Sequence, residues 1–241
     1  MHLLANGLTA IPCEAWLHPQ LRHHLPALTS MARLAEEHGN NIEPLADSIT
    51  EPGHLAALQW LERHKLLTGV YSIPMFCPYY CDLLVAEADK MGEEVGYEPN
   101  PAEEAAFQIP ELVLSTICPT LFTGLSVLFE RAANPLCQLL YGEAPCVHSS
   151  IQFARYEPRG TSHGNWHTDQ DSDTTLVISL QPEKFSGGGT DIRTGPLSFE
   201  TIPKLPKGHG LLFQGRATLH RGRAVRSGRR DLLVFWTEGT R

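Results

Sequence analysis

The sequence predicts an α+β chain, a helical layer followed by an antiparallel β sandwich or barrel. Apolar residues recur at threes and fours through the first two-thirds, the period switches to two from Ile151 onward, and Gly/Pro turns divide that last part into short runs. In residues 18–38, Leu21, Leu25, Leu28, Met31 and Leu34 make one helical stripe, in which Pro26 is expected to kink or restart the helix. Residues 51–67 carry a second stripe, Leu55, Leu58, Leu61 and Leu66, with Pro52 placed in a first turn. Residues 70–76 read as a short strand and turn, 79–92 as a helix and 97–109 as a loop rich in prolines and acids. Residues 120–140 read as the longest amphipathic helix. The runs IQFARYEP, TTLVISLQ, LSFETI, GLLFQG and RDLLVFW then read as strands, and Gly187-Gly-Gly-Thr as a sheet turn, since no lysine or helix follows to make it a phosphate loop.

The chain of 241 residues has a net charge of -8, which argues against a general nucleic-acid or anionic-membrane binder. The charge is uneven: residues 193–241 hold ten Lys/Arg against three Asp/Glu, so the rest is strongly acidic. No basic, apolar leader and no run of about 18 apolar residues is visible, so a cytoplasmic location is expected. The six cysteines (Cys13, Cys77, Cys81, Cys118, Cys137 and Cys146) are too sparse for a disulfide scaffold and form no C-x-x-C pair. They are read as reduced, mostly buried thiols.

Chemistry concentrates in Asn165-Trp-His-Thr-Asp. His167 and Asp169 are two apart, so on a strand both side chains leave one face and converge on one atom. His220, in TLHRG, ends another strand-like run. Two imidazoles and one carboxylate are the donor set of the non-haem Fe(II) facial triad, which leaves positions open on the metal. An H-x-D triplet occurs by chance in a chain with 12 histidines. Ten residues past His220, however, Arg230 enters the last strand, and a buried guanidinium offers a planar, permanently charged match for a carboxylate.

Residues 70–239 resemble the 2-oxoglutarate- and Fe(II)-dependent oxygenases, in particular their lysyl- and prolyl-hydroxylase group. The likeness rests on IQFARYEP, HTD, TTLVISL, FSGGGTDI, PKGHGLLFQG, LHRGRAV and SGRRDLLVFW in that order. Upstream, YSIPMFCPYYCDLLVAEADKMG resembles the segment opening the catalytic domain of procollagen lysyl hydroxylases. The resemblance implies a double-stranded β-helix (jelly-roll) core at about 150–239 within a domain of residues 70–241, preceded by an N-terminal helical extension of residues 1–69. It implies that His167, Asp169 and His220 bind Fe(II), that Arg230 pairs with the distal carboxylate of 2-oxoglutarate, and that Tyr156 supplies a second cosubstrate contact. It implies O2 as oxidant, ascorbate as a stimulant, and oxidation of 2-oxoglutarate to succinate and CO2 coupled to hydroxylation of an unactivated C–H bond.

The retained Asp169 and the spacing from His220 to Arg230 match the amino-acid side-chain hydroxylases of that superfamily rather than its halogenases or nucleic-acid demethylases. An acidic pocket mouth would favour a lysine-like substrate, either a free amino acid or a small peptide; a peptidyl lysyl or prolyl hydroxylase is the alternative. From other classes come a non-catalytic jelly-roll metal-binding module and a zinc hydrolase, the latter lacking a general-base glutamate beside the histidines. Around the triad, His163 is disfavoured as a helical H-x3-H ligand by Gly164 and Asn165, and His209 reads as structural or surface. Asp171 and Asp173 read as turn acids on the ligands' parity. Trp166 and Trp236 suit pocket and core equally, and Arg221, Arg223, Arg226 and Arg229 are expected around the pocket's end of the barrel, favouring anions.

Overall fold

A computed structural model describes residues 14–101, 104–105, 108–145 and 147–239. The first helix, α1 (Pro19–Glu37), starts where the His18 ring accepts the Gln20 N–H and Pro19 occupies the first turn. Leu21, Leu25, Leu28 and Met31 are buried along one face, as the stripe predicts. Pro26 lies on the exposed face and α1 runs through it unbroken, because the missing donor and the ring fall on the solvent side. After α2 (Ile42–Ser48) comes α3 (Pro52–His64). Its existence was legible but its face was not: His54, Ala57, Trp60 and Leu61 are buried, whereas Leu55 is 49% exposed. Leu66, 40% exposed, belongs instead to strand β1 (Lys65–Leu67), which hairpins onto β2 (Val70–Pro74).

Helix α4 (Pro78–Val95) buries Tyr80, Cys81, Leu84, Val85, Ala88 and Met91, and stops at Gly96, whose φ of 81° suits glycine. The acidic stretch beyond it contains the short strands β3 (Glu98–Pro99) and β4 (Pro110–Val113), followed by the single turn α5 (Leu114–Ile117). The expected helix over 120–140 is two helices, α6 (Pro119–Ala132) and α7 (Asn134–Tyr141). Pro135 cannot donate back into α6 but fits the first turn of α7, so Asn134-Pro135 restarts the helix.

The β region comprises β5 (Val147–Tyr156), β6 (Thr174–Ser179), β7 (Phe185–Gly187), β8 (Thr190–Gly195), β9 (Ser198–Ile202), β10 (His209–Gln214), β11 (His220–Gly222), β12 (Val225–Gly228) and β13 (Arg230–Glu238). Its main sheet has the order β1-β2-β10-β6-β13-β5-β4-β3; opposite stand β11-β8-β9 and the pair β12-β7. All pairings are antiparallel, and the architecture is the expected double-stranded β-helix with helices on one face. The Gly187-Gly-Gly turn has positive φ at all three glycines, as a tight link between β7 and β8 requires.

The period of two divides the main sheet chemically. Ile151, Phe153, Leu176, Ile178, Leu212, Leu233 and Phe235 pack with the helices into one continuous core that also contains Leu21, Trp60 and Leu84. The opposite parity, including Ala154, Tyr156, Leu211, Phe213, Leu232 and Val234, faces the small sheets. Behind the sheet, Arg155 bridges Asp231 (2.8 Å) and Asp89 (2.7 Å), while Arg229 bridges the same two acids at 2.7 and 3.0 Å. Arg229 is therefore tied to α4 and is not in the ring of arginines expected around the pocket. Among the described residues no helix is long and apolar enough to cross a membrane.

Two predictions concern stability. Leu61→Ala should cost about 2–5 kcal/mol in urea denaturation, whereas Leu55→Ala should change stability by less than about 0.5 kcal/mol. Burial holds His209 and His148 down to about 4, with the nearby His18 and His64 adding to the effect at His209. The unfolded chain then binds protons before the folded one, so stability should fall as pH drops from about 6.5 to about 4. His209→Gln should flatten that loss in denaturation curves taken across this range.

Candidate active site

His167, in an irregular segment, and His220, at the start of β11, face each other across an isolated antiparallel bridge. Each backbone N–H donates to the other's carbonyl at 2.9 Å, which sets the rings 4.4 Å apart. His167 Nδ1 lies 2.8 Å from the Asn165 carbonyl and His220 Nδ1 lies 3.0 Å from that of Thr218. A carbonyl only accepts, so both Nδ1 atoms carry the proton and both Nε2 lone pairs are left for a third party. Burial pushes His220 below the ordinary histidine value, which favours this neutral form.

Asp169 Oδ1 lies 3.4 Å from His167 Nε2 and 3.9 Å from His220 Nε2. Its other oxygen accepts the Thr175 hydroxyl at 2.6 Å. Burial acts to raise this carboxyl, but the Thr175 hydroxyl and the two imidazoles, in whichever state one of them is protonated at Nε2, outweigh it and hold the group below the usual carboxylate range. Asp169 is not on a strand, contrary to expectation. It lies in a loop stitched to the turn after β10: its N–H donates to the Gly215 carbonyl, Gly215 N–H to Asp173, and Arg216 N–H to Ser172. Arg216 clamps the loop further, pairing with Asp173 (2.6 Å) and Glu238 and donating to the Gln170 carbonyl. Asp173 is thus a clamp residue rather than a free turn acid. A Cβ on Gly215 would come within 2.4 Å of the Ser172 carbonyl, so this close approach requires glycine.

These three residues are the one group of His, Cys, Asp or Glu among the described residues whose donor atoms lie close enough together, within 4.8 Å, to hold a metal ion. Two neutral imidazole nitrogens and an ionised oxygen suit a divalent transition metal. His163 stays apart, exposed and near the Ser162 hydroxyl.

The same cavity contains Arg230 and Tyr156. Alternation along β13 turns Arg230, Leu232, Val234 and Trp236 inward, and the register pairs Arg230 with Tyr156 on β5. The Arg230 guanidinium, 5.4 Å from the Tyr156 ring centre, is buried, and Nη1 has no hydrogen-bond partner. Burial lowers its proton affinity, yet an arginine keeps its charge. A buried cation with an unpartnered Nη1, in a lining that includes Ala154, Val177, Leu211, Phe213 and Leu232 as well as Tyr156 and Thr190, is costly unless an anion joins it. Gly222 preserves the space: its Cβ would lie 3.4 Å from the Tyr156 hydroxyl and 3.5 Å from Arg230 Nη1.

Beyond the metal-ligand group the cavity widens into an outer compartment of about 450 Å³, lined by Glu104, Ile109, Glu111, Gln152, Gln170, Asp171 and Trp236 among others. Trp236 therefore lines the pocket, whereas Trp166, absent from its lining, meets Phe199 edge-on and lies under the Arg221 guanidinium. Arg221 and Arg223 both pair with the buried Asp191, and Arg226 is exposed on β12. His209 is half-buried beside Ser72 and takes no part. Cys77, Cys81, Cys118 and Cys137 are free thiols, with Cys81 pushed up to about 12 by burial; Cys13 and Cys146 lie outside the described residues.

Sequence reasoning missed Thr175, Gln152, Glu111 and Arg216. Thr175 and Gln152 had a signal, since they share inward parity with Val177 and Ala154. Glu111 and Arg216 had none, because their partners are remote in the chain.

No protein family matches the chain by sequence, and no curated protein does. Solved structures match by fold, and that fold is the double-stranded β-helix. Among them, a prolyl-4-hydroxylase from Pseudomonas putida is 16% identical with a TM-score of 0.56, over 78% of this chain and 99% of that one. The non-heme alpha ketoglutarate dependent epimerase SnoN from nogalamycin biosynthesis is 16% identical with a TM-score of 0.59, over 77% and 83%. A prolyl hydroxylase from Trichoplax adhaerens, solved with a hypoxia inducible factor peptide fragment, is 14% identical with a TM-score of 0.55, over 80% and 96%. The chain shares the fold of 2-oxoglutarate-Fe(II) oxygenases.

Thr175→Val keeps the side chain's shape but removes the hydroxyl from Asp169. It should weaken Mn(II) or Co(II) binding about 10–100-fold in calorimetry, and the lost bonds to the buried Asp169 and Ser172 should also cost about 1–3 kcal/mol of stability.

Proposed function

We propose that the protein is a 2-oxoglutarate- and Fe(II)-dependent dioxygenase that hydroxylates an unactivated C–H bond of an amino-acid side chain. The observation that carries this reading is the orphaned Arg230 guanidinium in the cavity of the His167/Asp169/His220 group. A metal-binding group alone fits many activities; a buried, unpaired cation beside it calls for a small molecule that binds a metal at one end and presents a carboxylate at the other. The fold likeness to oxygenases supports the same choice.

In this reading His167, Asp169 and His220 hold Fe(II), which supplies O2 activation coupled to decarboxylation of the keto acid. Thr175 and the Asn165 and Thr218 carbonyls orient the ligands, Arg230 receives the distal carboxylate of 2-oxoglutarate, and Tyr156 lines the same wall. The apolar residues around Arg230 exclude water, which strengthens the ion pair. Residues 70–241 form the dioxygenase domain, and residues 1–69 extend it, with α1 and α3 packed into the core behind the sheet. The substrate is a lysine-like amino acid, free or in a small peptide, or a peptidyl lysine or proline, in the cytoplasm. The acids lining the outer compartment argue against nucleic acid.

Protein loaded with Fe(II) and given 2-oxoglutarate, O2 and each proteinogenic amino acid should release succinate and yield one product heavier by one oxygen atom. Metal binding without 2-oxoglutarate consumption under any substrate would instead favour a non-catalytic metal-binding module. Arg230→Ala should raise the 2-oxoglutarate concentration needed for half-maximal succinate release by about 100-fold or more, since it removes a buried charge partner. Arg223→Ala, whose exposed guanidinium shares Asp191 with Arg221 and does not line the cavity, should change it by less than about threefold. Equal effects would mean that the C-terminal charge acts only as a diffuse field.

A further inference from the structure

The inward row of the main sheet is apolar next to Arg230, but at its other end a carboxylate and an amide are built into the wall. Strand β4 pairs with β5 so that Glu111 lies opposite Ala154 and Val113 opposite Gln152. Glu111 is 7% exposed and Gln152 3%. Gln152 Oε1 accepts the Ser150 hydroxyl at 3.1 Å, which orients the amide so that Nε2 donates to Glu111 Oε2 at 2.5 Å. Both side chains line the outer compartment, whose wall also includes His167 and Asp169. Burying a carboxylate here is costly for the fold.

The surroundings select the sign of the guest. Among the described residues lining this compartment there are acids, amides, one threonine, Ile109, Trp236 and His167, but no lysine or arginine. Among the described residues, Glu104, Ile109 and Glu111 supply one wall, and the loop with Asp169 and Asp171 supplies another. The one arginine beside that loop, Arg216, is engaged by Asp173 and Glu238. A cation entering this space leaves water against a buried carboxylate and an indole face, both of which attract it more strongly at reduced dielectric.

We propose that Glu111, held by Gln152, is the specificity-determining residue of the outer compartment and receives a protonated primary amine of the substrate. The assignment deepens the dioxygenase reading and rests on it for the word substrate. The cavity then has two electrostatic ends, Arg230 for the anionic cosubstrate and Glu111 for the cationic substrate, with the metal-ligand group between them in the lining. A neutral hydroxyl in the amine's place would keep a hydrogen bond to Glu111 but lose the charge.

Binding tests this without turnover. Protein loaded with Mn(II) and 2-oxoglutarate is titrated calorimetrically with L-lysine against L-norleucine, and with n-butylamine against 1-butanol. L-Lysine should bind at least about tenfold more tightly than L-norleucine, which keeps the α-ammonium but lacks the amine at the end of the chain, and n-butylamine than 1-butanol, as expected for a hydrogen bond to a charged group. Glu111→Gln, nearly isosteric, should abolish that preference while leaving Mn(II) and 2-oxoglutarate affinity unchanged. Equal binding of amine and alcohol to the loaded wild type, binding of neither, or a preference that survives in Glu111→Gln overturns the assignment. Failure of the wild type to bind Mn(II) with 2-oxoglutarate overturns the dioxygenase reading instead, and the amine titration of metal-free protein still decides the role of Glu111. Should Glu111→Gln not fold, Glu111→Asp keeps the charge on a shorter arm; it should retain the preference at reduced affinity, and loss of the preference counts against the assignment.

Discussion

The mutual backbone pairing of His167 and His220 is the constraint on which the site depends. Both residues lie where regular structure gives out, one in the stretch before β6 and the other at the start of β11. Two reciprocal hydrogen bonds of 2.9 Å bring the rings together, and the local carbonyls of Asn165 and Thr218 then settle which nitrogen faces inward. Asp169 joins them because its loop is sewn to residues 215 and 216 just ahead of His220, so the same turn that delivers the second imidazole also fixes the carboxylate. The geometry is pre-formed by backbone bonds and a glycine contact rather than by attraction among the three side chains.

Arg230 depends on a different device. Its inward direction follows from strand parity, but parity alone does not stop a lysine or arginine near a strand end from bending back to water. Here its neighbours are held on the other face: Arg229 just before β13, Asp231 on β13, and Arg155 beside Tyr156 on β5 are locked with Asp89 of α4. Four charges satisfied behind the sheet hold the strand end in register, and the one guanidinium in front is left without a partner at Nη1. Adjacent arginines in the sequence thus have opposite roles, one structural and one available to a ligand.

The same contrast explains what could be read in advance. Period was enough for the sheet and for the inward course of Arg230, which depend on local alternation; His167, Asp169 and His220 were singled out by donor type and family resemblance, since Asp169 lies off the strand and His220 is remote in the chain. Helix existence was legible, but helix faces were less so. In α3 the stripe of leucines competes with the face His54, Ala57, Trp60 and Leu61, and large aromatic area plus a small alanine at the contact wins over leucine count. Pro135 was hidden inside an apolar run whose period continues across the break. Residues whose role comes from a distant partner, such as Arg216 with Asp173 and Gln152 with Glu111, leave no local trace, since 43 and 41 residues separate them.

The charge gradient along the chain takes on a spatial meaning in the folded protein. Half of the C-terminal basic residues are paired with acids within the fold: Lys207 with Asp82 and Glu183, Arg216 with Asp173 and Glu238, Arg221 and Arg223 with Asp191, Arg229 with Asp89 and Asp231. Acids of the N-terminal part reach the opposite end of the cavity through β4 and the stretch before it. A diffuse basic end would attract any anion and repel a cationic substrate from the same opening. With one unpaired guanidinium buried in the cavity wall at one end and carboxylates lining the other, one cavity favours an anion beside Arg230 and a cation beside Glu111. Each charge then disfavours the wrong ligand at its own end, so the order of the two along the cavity follows from electrostatics as well as from shape.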